Sequence, residues 1–137
     1  MHNQDYRQRL CKLLERHLPE AEVYDPWAGH RQSLVYEEEQ ARQVFLEHNA
    51  MCGEVDVVIA FVPEASMGTA IEMWEACRAG RIVIAISGLR HNWAIRFSSH
   101  AIYADLGEFE QAVASGRLAS QLNRLQTMTA SASKPGE

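Results

Sequence analysis

Six consecutive apolar residues, Val57-Val58-Ile59-Ala60-Phe61-Val62, are followed at once by Pro63 and a small-residue loop. A near-continuous apolar run marks a parallel strand covered on both faces. Pro63 ends the strand, because proline brings no N–H to a sheet ladder. The next residues, Glu64-Ala65-Ser66-Met67-Gly68-Thr69-Ala70-Ile71-Glu72, read as a tight loop and a helix with a carboxylate in its first turn. Gly68 is expected to let the backbone turn and to leave room for a ligand. A carboxylate and several free amides then stand at the carboxyl end of a strand, where open α/β sheets bind ligands.

The rest of the chain alternates helix and strand. Tyr6, Leu10, Leu13, Leu14, His17 and Leu18 recur at helical spacing, so a helix is expected over 5–18, closed by Pro19. Residues 21–24 form a short strand candidate, and Asp25-Pro26-Trp27-Ala28-Gly29 a loop that rims the pocket or simply turns. A second helix is expected over 32–51, with Leu34, Ala41, Val44 and Phe45 on one side and Glu37, Glu38 and Glu39 in solvent. After the central strand a helix over 68–79 ends at Gly80, a C-terminal cap. Residues 82–86 are a second apolar strand and 101–104 a last one. Asp105 and Glu108 have the spacing of a capping box for the following helix. A further helix spans 117–128, and the Ser-, Lys-, Pro- and Gly-containing residues 129–137 read as a disordered tail. Such alternation predicts a single α/β domain over 1–128, with a parallel sheet of about four strands between helices.

At 137 residues the chain is long enough for one real core. A formal charge of -5 argues against sequence-independent nucleic-acid binding, which needs a basic surface. Cys11, Cys52 and Cys77 are widely spaced and odd in number, which favours reduced thiols in the cytoplasm. There is no apolar stretch of about 18 residues, so no membrane partner is expected. His30, His91 and His100 lack metal-ligand spacing, and no metal is expected.

Near a helix N-terminus, orphan amides and the helix dipole favour an anion, which would keep Glu72 ionised. An ionised carboxylate can stabilise or trap the oxocarbenium-like state of glycosidic cleavage. Ser66 and the amides around Met67, Gly68 and Thr69 suit a phosphate or sugar hydroxyls. The plainer reading is an acidic residue that merely stabilises its helix. Glu75, one turn on, reads as solvated or as a structural partner.

The pattern Asp56-Val57-Val58-Ile59-Ala60, then Ser66-x-Gly68-Thr69-x-x-Glu72, resembles the nucleoside 2-deoxyribosyltransferase family over roughly residues 5–113. That resemblance implies a flavodoxin-like three-layer sandwich, with Glu72 as the nucleophile at the sugar's anomeric carbon. The transferases usually carry an aspartate six residues before this glutamate. Related nucleoside 5′-monophosphate N-glycosidases carry a serine there, which helps bind the 5′-phosphate, and this chain has Ser66. The resemblance therefore implies cleavage, by hydrolysis or transfer, of the N-glycosidic bond of a nucleoside 5′-monophosphate or deoxynucleoside, with no cofactor. A non-catalytic nucleotide-binding or oligomerisation module on the same fold is the alternative.

Two departures from the family stand out. Its acidic residue on the preceding helix is replaced at His48, which reads either as an acid or base near neutral pH or as a packing residue. The family's first strand, mid-sheet beside the pocket, has no counterpart, since Met1 to Gln4 are few and polar. The expectation is a native start further upstream or a shortened relative. In the family the segment matching 89–100 often reaches a neighbouring subunit's site. Asn92, Arg96 and Ser98 are accordingly expected to contact phosphate or base in a homodimer or higher homo-oligomer, bordering the crevice of Glu72. The alternative is that Ile95 and Phe97 dock the segment while Trp93 packs on a partner surface.

Overall fold

The computed structural model describes residues 3–25 and 37–132. Three strands, β1 (Val57–Phe61), β2 (Ile82–Ile86) and β3 (Ala101–Tyr103), form one parallel sheet in the order β1-β2-β3. Val57 pairs with Ile82 and Phe61 with Ile86, and Ile84 to Ile86 pair with Ala101 to Tyr103. Six helices accompany them: α1 (Asn3–His17), α2 (Glu38–Cys52), α3 (Met67–Arg78), α4 (Trp93–Ser98), α5 (Leu106–Ala114) and α6 (Arg117–Ala132). The architecture is an α/β sandwich, consistent with a flavodoxin-like sheet that lacks a strand.

Strand side chains alternate between the two faces, which explains why the strands carry apolar residues throughout. Ile82, Ile84 and Ile86, with Val57, Ile59 and Phe61, pack under Leu10 and Leu14 of α1, Phe109 and Val113 of α5 and Leu118 of α6. Val83 and Ala85, with Val58, Ala60 and Val62, face Met73 and Ala76 of α3 and Ile95 of α4. Every residue of β2 is buried. Each such aliphatic side chain contributes about 1.5–3 kcal/mol on leaving water. The ring of Phe109 meets that of Tyr103 edge-on at 5.5 Å, and the Tyr103 hydroxyl donates to Gln121 Oε1 at 2.6 Å, tying α6 to β3.

Helix ends follow local chemistry. Asp105 Oδ1 accepts from the Glu108 amide at 2.8 Å, and Glu108 Oε2 reaches back to the amide of Ala104 at 2.9 Å, one residue before the expected partner. Gly80 has φ of 80°, and the Arg81 amide donates to Ala76 O at 2.9 Å, which closes α3 in a Schellman turn. A side chain at Gly80 would be strained whatever space surrounded it.

The fold differs from expectation in three places. Residues 21–25 are not a strand. The Ala21 amide turns back to Leu18 O at 3.0 Å, and the segment is held by Val23 against the core and Asp25 against Arg7 instead of by ladder bonds. The sheet therefore has three strands among the described residues, and β1 is an edge. Ile82 donates to Asp56 O and Val62 to Ile86 O, so the even-numbered residues of β1 bond β2. The N–H and C=O groups of Val57, Ile59 and Phe61 point outward.

On α2, Ala41 and Phe45 are exposed, while the inward side runs through Val44, His48 and Cys52. Glu37, Glu38 and Glu39 are exposed as expected, whereas Leu34 and the expected helix start lie outside the described residues, as do Pro26, Trp27 and His30. Finally, α6 continues through Ala132 into the stretch read as a tail.

Candidate functional site

The loops after β1 and β2 are locked side by side at the carboxyl edge of the sheet. Ser87 Oγ donates to Val62 O at 2.6 Å and accepts from the Leu89 amide at 3.1 Å, with Ser87 itself buried. A hydroxyl that satisfies two backbone groups in a buried loop removes the main cost of burying it. Ser87 was not singled out from sequence. Its signal is a small polar residue directly after an apolar strand.

Ser66 is the N-cap of α3. Its Oγ accepts from the Thr69 amide at 3.3 Å and donates to Thr69 Oγ1 at 3.2 Å. That uses the third amide of the helix. The amides of Met67 and Gly68 find no acceptor among the described residues, as the first amides of a helix have no intrahelical partner. A Cβ on Gly68 would meet nothing within 4 Å, so the approach is open, and Met67 is 87% exposed beside it. Gly68 does not make the turn, however. It is the second residue of α3 and its φ is not positive, so Pro63 to Ser66 carry the change of direction.

Glu72 is the sixth residue of α3, in its second turn. The expected stabilisation of its charge by orphan amides therefore fades, because that effect is confined to the first turn. Burial dominates instead and pushes the Glu72 carboxyl above its ordinary range, while the positive charge of Arg7 opposes it. Arg7 Nη1 lies 2.9 Å from Asp25 Oδ1, and its guanidinium stands 5.5 Å from the centre of the Tyr6 ring. Tyr6 in turn stacks on Phe61 at 4.6 Å. The N-terminal turn of α1 is thus pinned to the carboxyl end of β1, which brings a guanidinium within electrostatic reach of Glu72.

From the other side, Cys52 Sγ of α2 lies 4.0 Å from Glu72 Oε2. Burial, then the negative charges of Glu72 and Glu75, push the Cys52 thiol up to about 11. His48, 7% exposed, lies one turn before Cys52 on the same side of α2. Arg7 and Cys52 escaped the sequence reading because each reaches Glu72 only through tertiary packing. Glu75 is a structural partner, paired with Arg78 at 2.8 Å.

The remaining candidates lie on α4 or at its start, and α4 packs on α3. Asn92 caps α4, its Oδ1 accepting from the amides of Ala94 at 2.9 Å and Ile95 at 3.3 Å. Ser98 is buried in α4. Arg96 is exposed, 5.2 Å from the centre of the Phe97 ring, and borders a cavity of about 440 Å³ that is also lined by Arg90, His91, Ser99 and His100. That cavity flanks β3, across the sheet from the β1 edge. Among the described residues no three His, Cys, Asp or Glu are grouped to hold a metal, and no helix is long and apolar enough to cross a membrane.

No protein-family model, curated protein or solved structure matches this chain.

Proposed function

We propose that the chain cleaves the N-glycosidic bond of a nucleoside 5′-monophosphate or deoxynucleoside in the cytoplasm. The observation that carries this reading is the pairing of an open helix N-terminus, capped by Ser66, with a half-buried carboxylate at Glu72 on the same helix. The amides of Met67 and Gly68, with Ser66 and Thr69, are suited to a phosphate or sugar hydroxyls. Glu72 attacks the anomeric carbon as the bond to the base breaks. The base leaves with the bonding pair and takes up a proton, for which His48 is the candidate donor. Water then opens the glycosyl ester and restores the carboxylate. The carboxylate acts without a cofactor in this scheme.

Incubation of the full chain with a panel of nucleoside monophosphates and nucleosides, followed by chromatography for free base, tests the proposal. Base release that disappears in Glu72→Ala, with the circular dichroism spectrum unchanged, is the expected result. Unchanged release in that variant overturns it. Exchange only on addition of a second base identifies transfer instead of hydrolysis.

A second reading, a non-catalytic nucleotide-binding module, is favoured by the engagement of Glu72 with Cys52 and by the short distance between Arg7 and Asp25. Binding of a monophosphate with no base released is its signature.

A further inference from the structure

The wall of the cavity beside β3 is chemically one-sided. It is built wholly from residues 90–102, so the elements that carry Glu72 and Cys52 contribute nothing to it. Its polar side chains are Arg90, His91, Arg96, Ser99 and His100, and no carboxylate lines it. The chain as a whole carries a formal charge of -5, so this concentration of donors runs against the average. A volume of about 440 Å³ falls within the range of small-molecule sites, about 300–1,000 Å³.

Four of these groups have donors to spare. His100 Nδ1 accepts from the Val83 amide at 3.0 Å, while the His100 amide donates to Val83 O at 2.8 Å. The ring is thereby anchored to β2, and an accepting Nδ1 puts the ring proton on Nε2, on the far side from β2. Arg90 Nη2 lies 3.8 Å from Glu108 Oε2, too far for a hydrogen bond, and that oxygen already accepts from the Ala104 amide at 2.9 Å. Arg96 rests against the Phe97 ring and pairs with no carboxylate among the described residues. Ser99 Oγ is shut off from water and has no hydrogen-bond partner among the described residues. Buried hydroxyls are nearly always partnered, so an orphan in a cavity wall points to an acceptor that a ligand brings.

An anion matches such a wall, and the placing of the donors shapes it. One guanidinium fork satisfies a carboxylate. Here the two guanidinium groups come from different elements, the loop after β2 and the last turn of α4, while Ser99 and His100 precede β3. Donors therefore enter from both ends of β3 instead of gathering at one point. We infer that the cavity binds a small ligand with two linked phosphate-type groups, one held toward Arg90 and the other toward Ser99 and His100, with Arg96 as the second guanidinium. The site is complete in one chain, and Asn92 and Ser98, committed to α4, have no part in its wall. This inference stands independently of the chemistry proposed for Glu72.

Calorimetric titration of the full chain with inorganic pyrophosphate, inorganic phosphate and a nucleoside diphosphate tests it. Pyrophosphate is expected to bind, and phosphate to bind about ten-fold more weakly, the loss of one charge-assisted contact. A nucleoside diphosphate that matches pyrophosphate supports a diphosphate ester as the source, and one that does not bind supports the free anion. Arg90 and Arg96 are exposed, so Arg90→Gln and Arg96→Gln leave the fold intact, checked by circular dichroism. Each should raise the Kd for pyrophosphate about ten-fold or more. Ser99→Ala should weaken binding without lowering the thermal midpoint of the ligand-free chain, because the hydroxyl has no partner to lose. Absence of pyrophosphate binding at millimolar concentration overturns the inference, as does phosphate binding just as tightly. So does binding unchanged in both arginine variants, and its loss in Ser66→Ala alone would place the anion at the start of α3 instead.

Discussion

Cys52 Sγ and Glu72 Oε2 lie 4.0 Å apart across the α2–α3 contact, and the carboxylate opposes ionisation of the thiol. The thiol is pushed to about 11, first by burial and then by the neighbouring carboxylates. Only about one thiol in ten thousand is ionised at neutral pH at such a value. Cys52 should therefore react with iodoacetamide about a hundred-fold more slowly than an ordinary free thiol, since the thiolate is the nucleophile. In Glu72→Gln the rate at Cys52 should rise, because one of the charges that oppose ionisation is gone. Peptide mass spectrometry after timed alkylation reads both effects.

Stability should fall with rising pH through the titration of Glu72. Its folded-state pKa is raised above the unfolded value by burial. The folded chain then binds more protons than the unfolded chain in the window that begins at the ordinary carboxylate range and extends upward. The slope of unfolding free energy against pH is negative there. Glu72→Gln should thus be more stable than wild type at neutral pH, with the difference vanishing at acidic pH where the carboxyl is protonated in both states. Urea titrations at the two pH values measure it, and a variant less stable at neutral pH contradicts the sign.

The three side-chain caps should each cost about 1 kcal/mol when cut to alanine. Asp105→Ala and Asn92→Ala lose bonds to one and two amides, respectively. Ser66→Ala loses the bond to Thr69. Under the proposed function it also loses a phosphate contact, so it alone should raise KM for nucleoside monophosphates more than for nucleosides. Denaturation midpoints and paired kinetics separate the two effects.

Phe109→Ala should destabilise by about 3–5 kcal/mol, the cost of an aromatic side chain removed from a closed core. Phe109 is fully buried and supports Tyr103, whose hydroxyl holds α6 through Gln121. The variant should therefore also expose the protease-sensitive bonds of α6, visible in limited proteolysis.

How much was legible from sequence depended on the range of the interaction. The apolar runs of β1 and β2 and the capping by Asp105 are written in a few consecutive residues, and they appear where expected. Gly80 likewise ends α3, with Ala79 as the capping residue proper. Ser66 was read as a ligand contact in the loop, whereas its hydroxyl caps α3 in this structure. The inward side of α2 was read only at Val44, because His48 and Cys52 turn inward through the packing of α2 on α3, a tertiary contact. Residues 21–24 have strand-like composition but pair with no strand among the described residues. The direction of the Glu72 shift was misjudged for a related reason, since burial is a tertiary property and outweighs the local dipole. Arg7 reaches that carboxylate from the opposite helical layer, which no spacing along the chain reveals.

Among the described residues no strand pairs with the outer side of β1, which divides its amides into two sets. Val58, Ala60 and Val62 give their N–H groups to β2, while those of Val57, Ile59 and Phe61 face away from it. In heavy water these neighbours should exchange on separate clocks, slow and fast in strict alternation along one strand. A polypeptide that seats against this side would synchronise them. The alternation is thus a built-in reporter of whether β1 is still the border of the sheet.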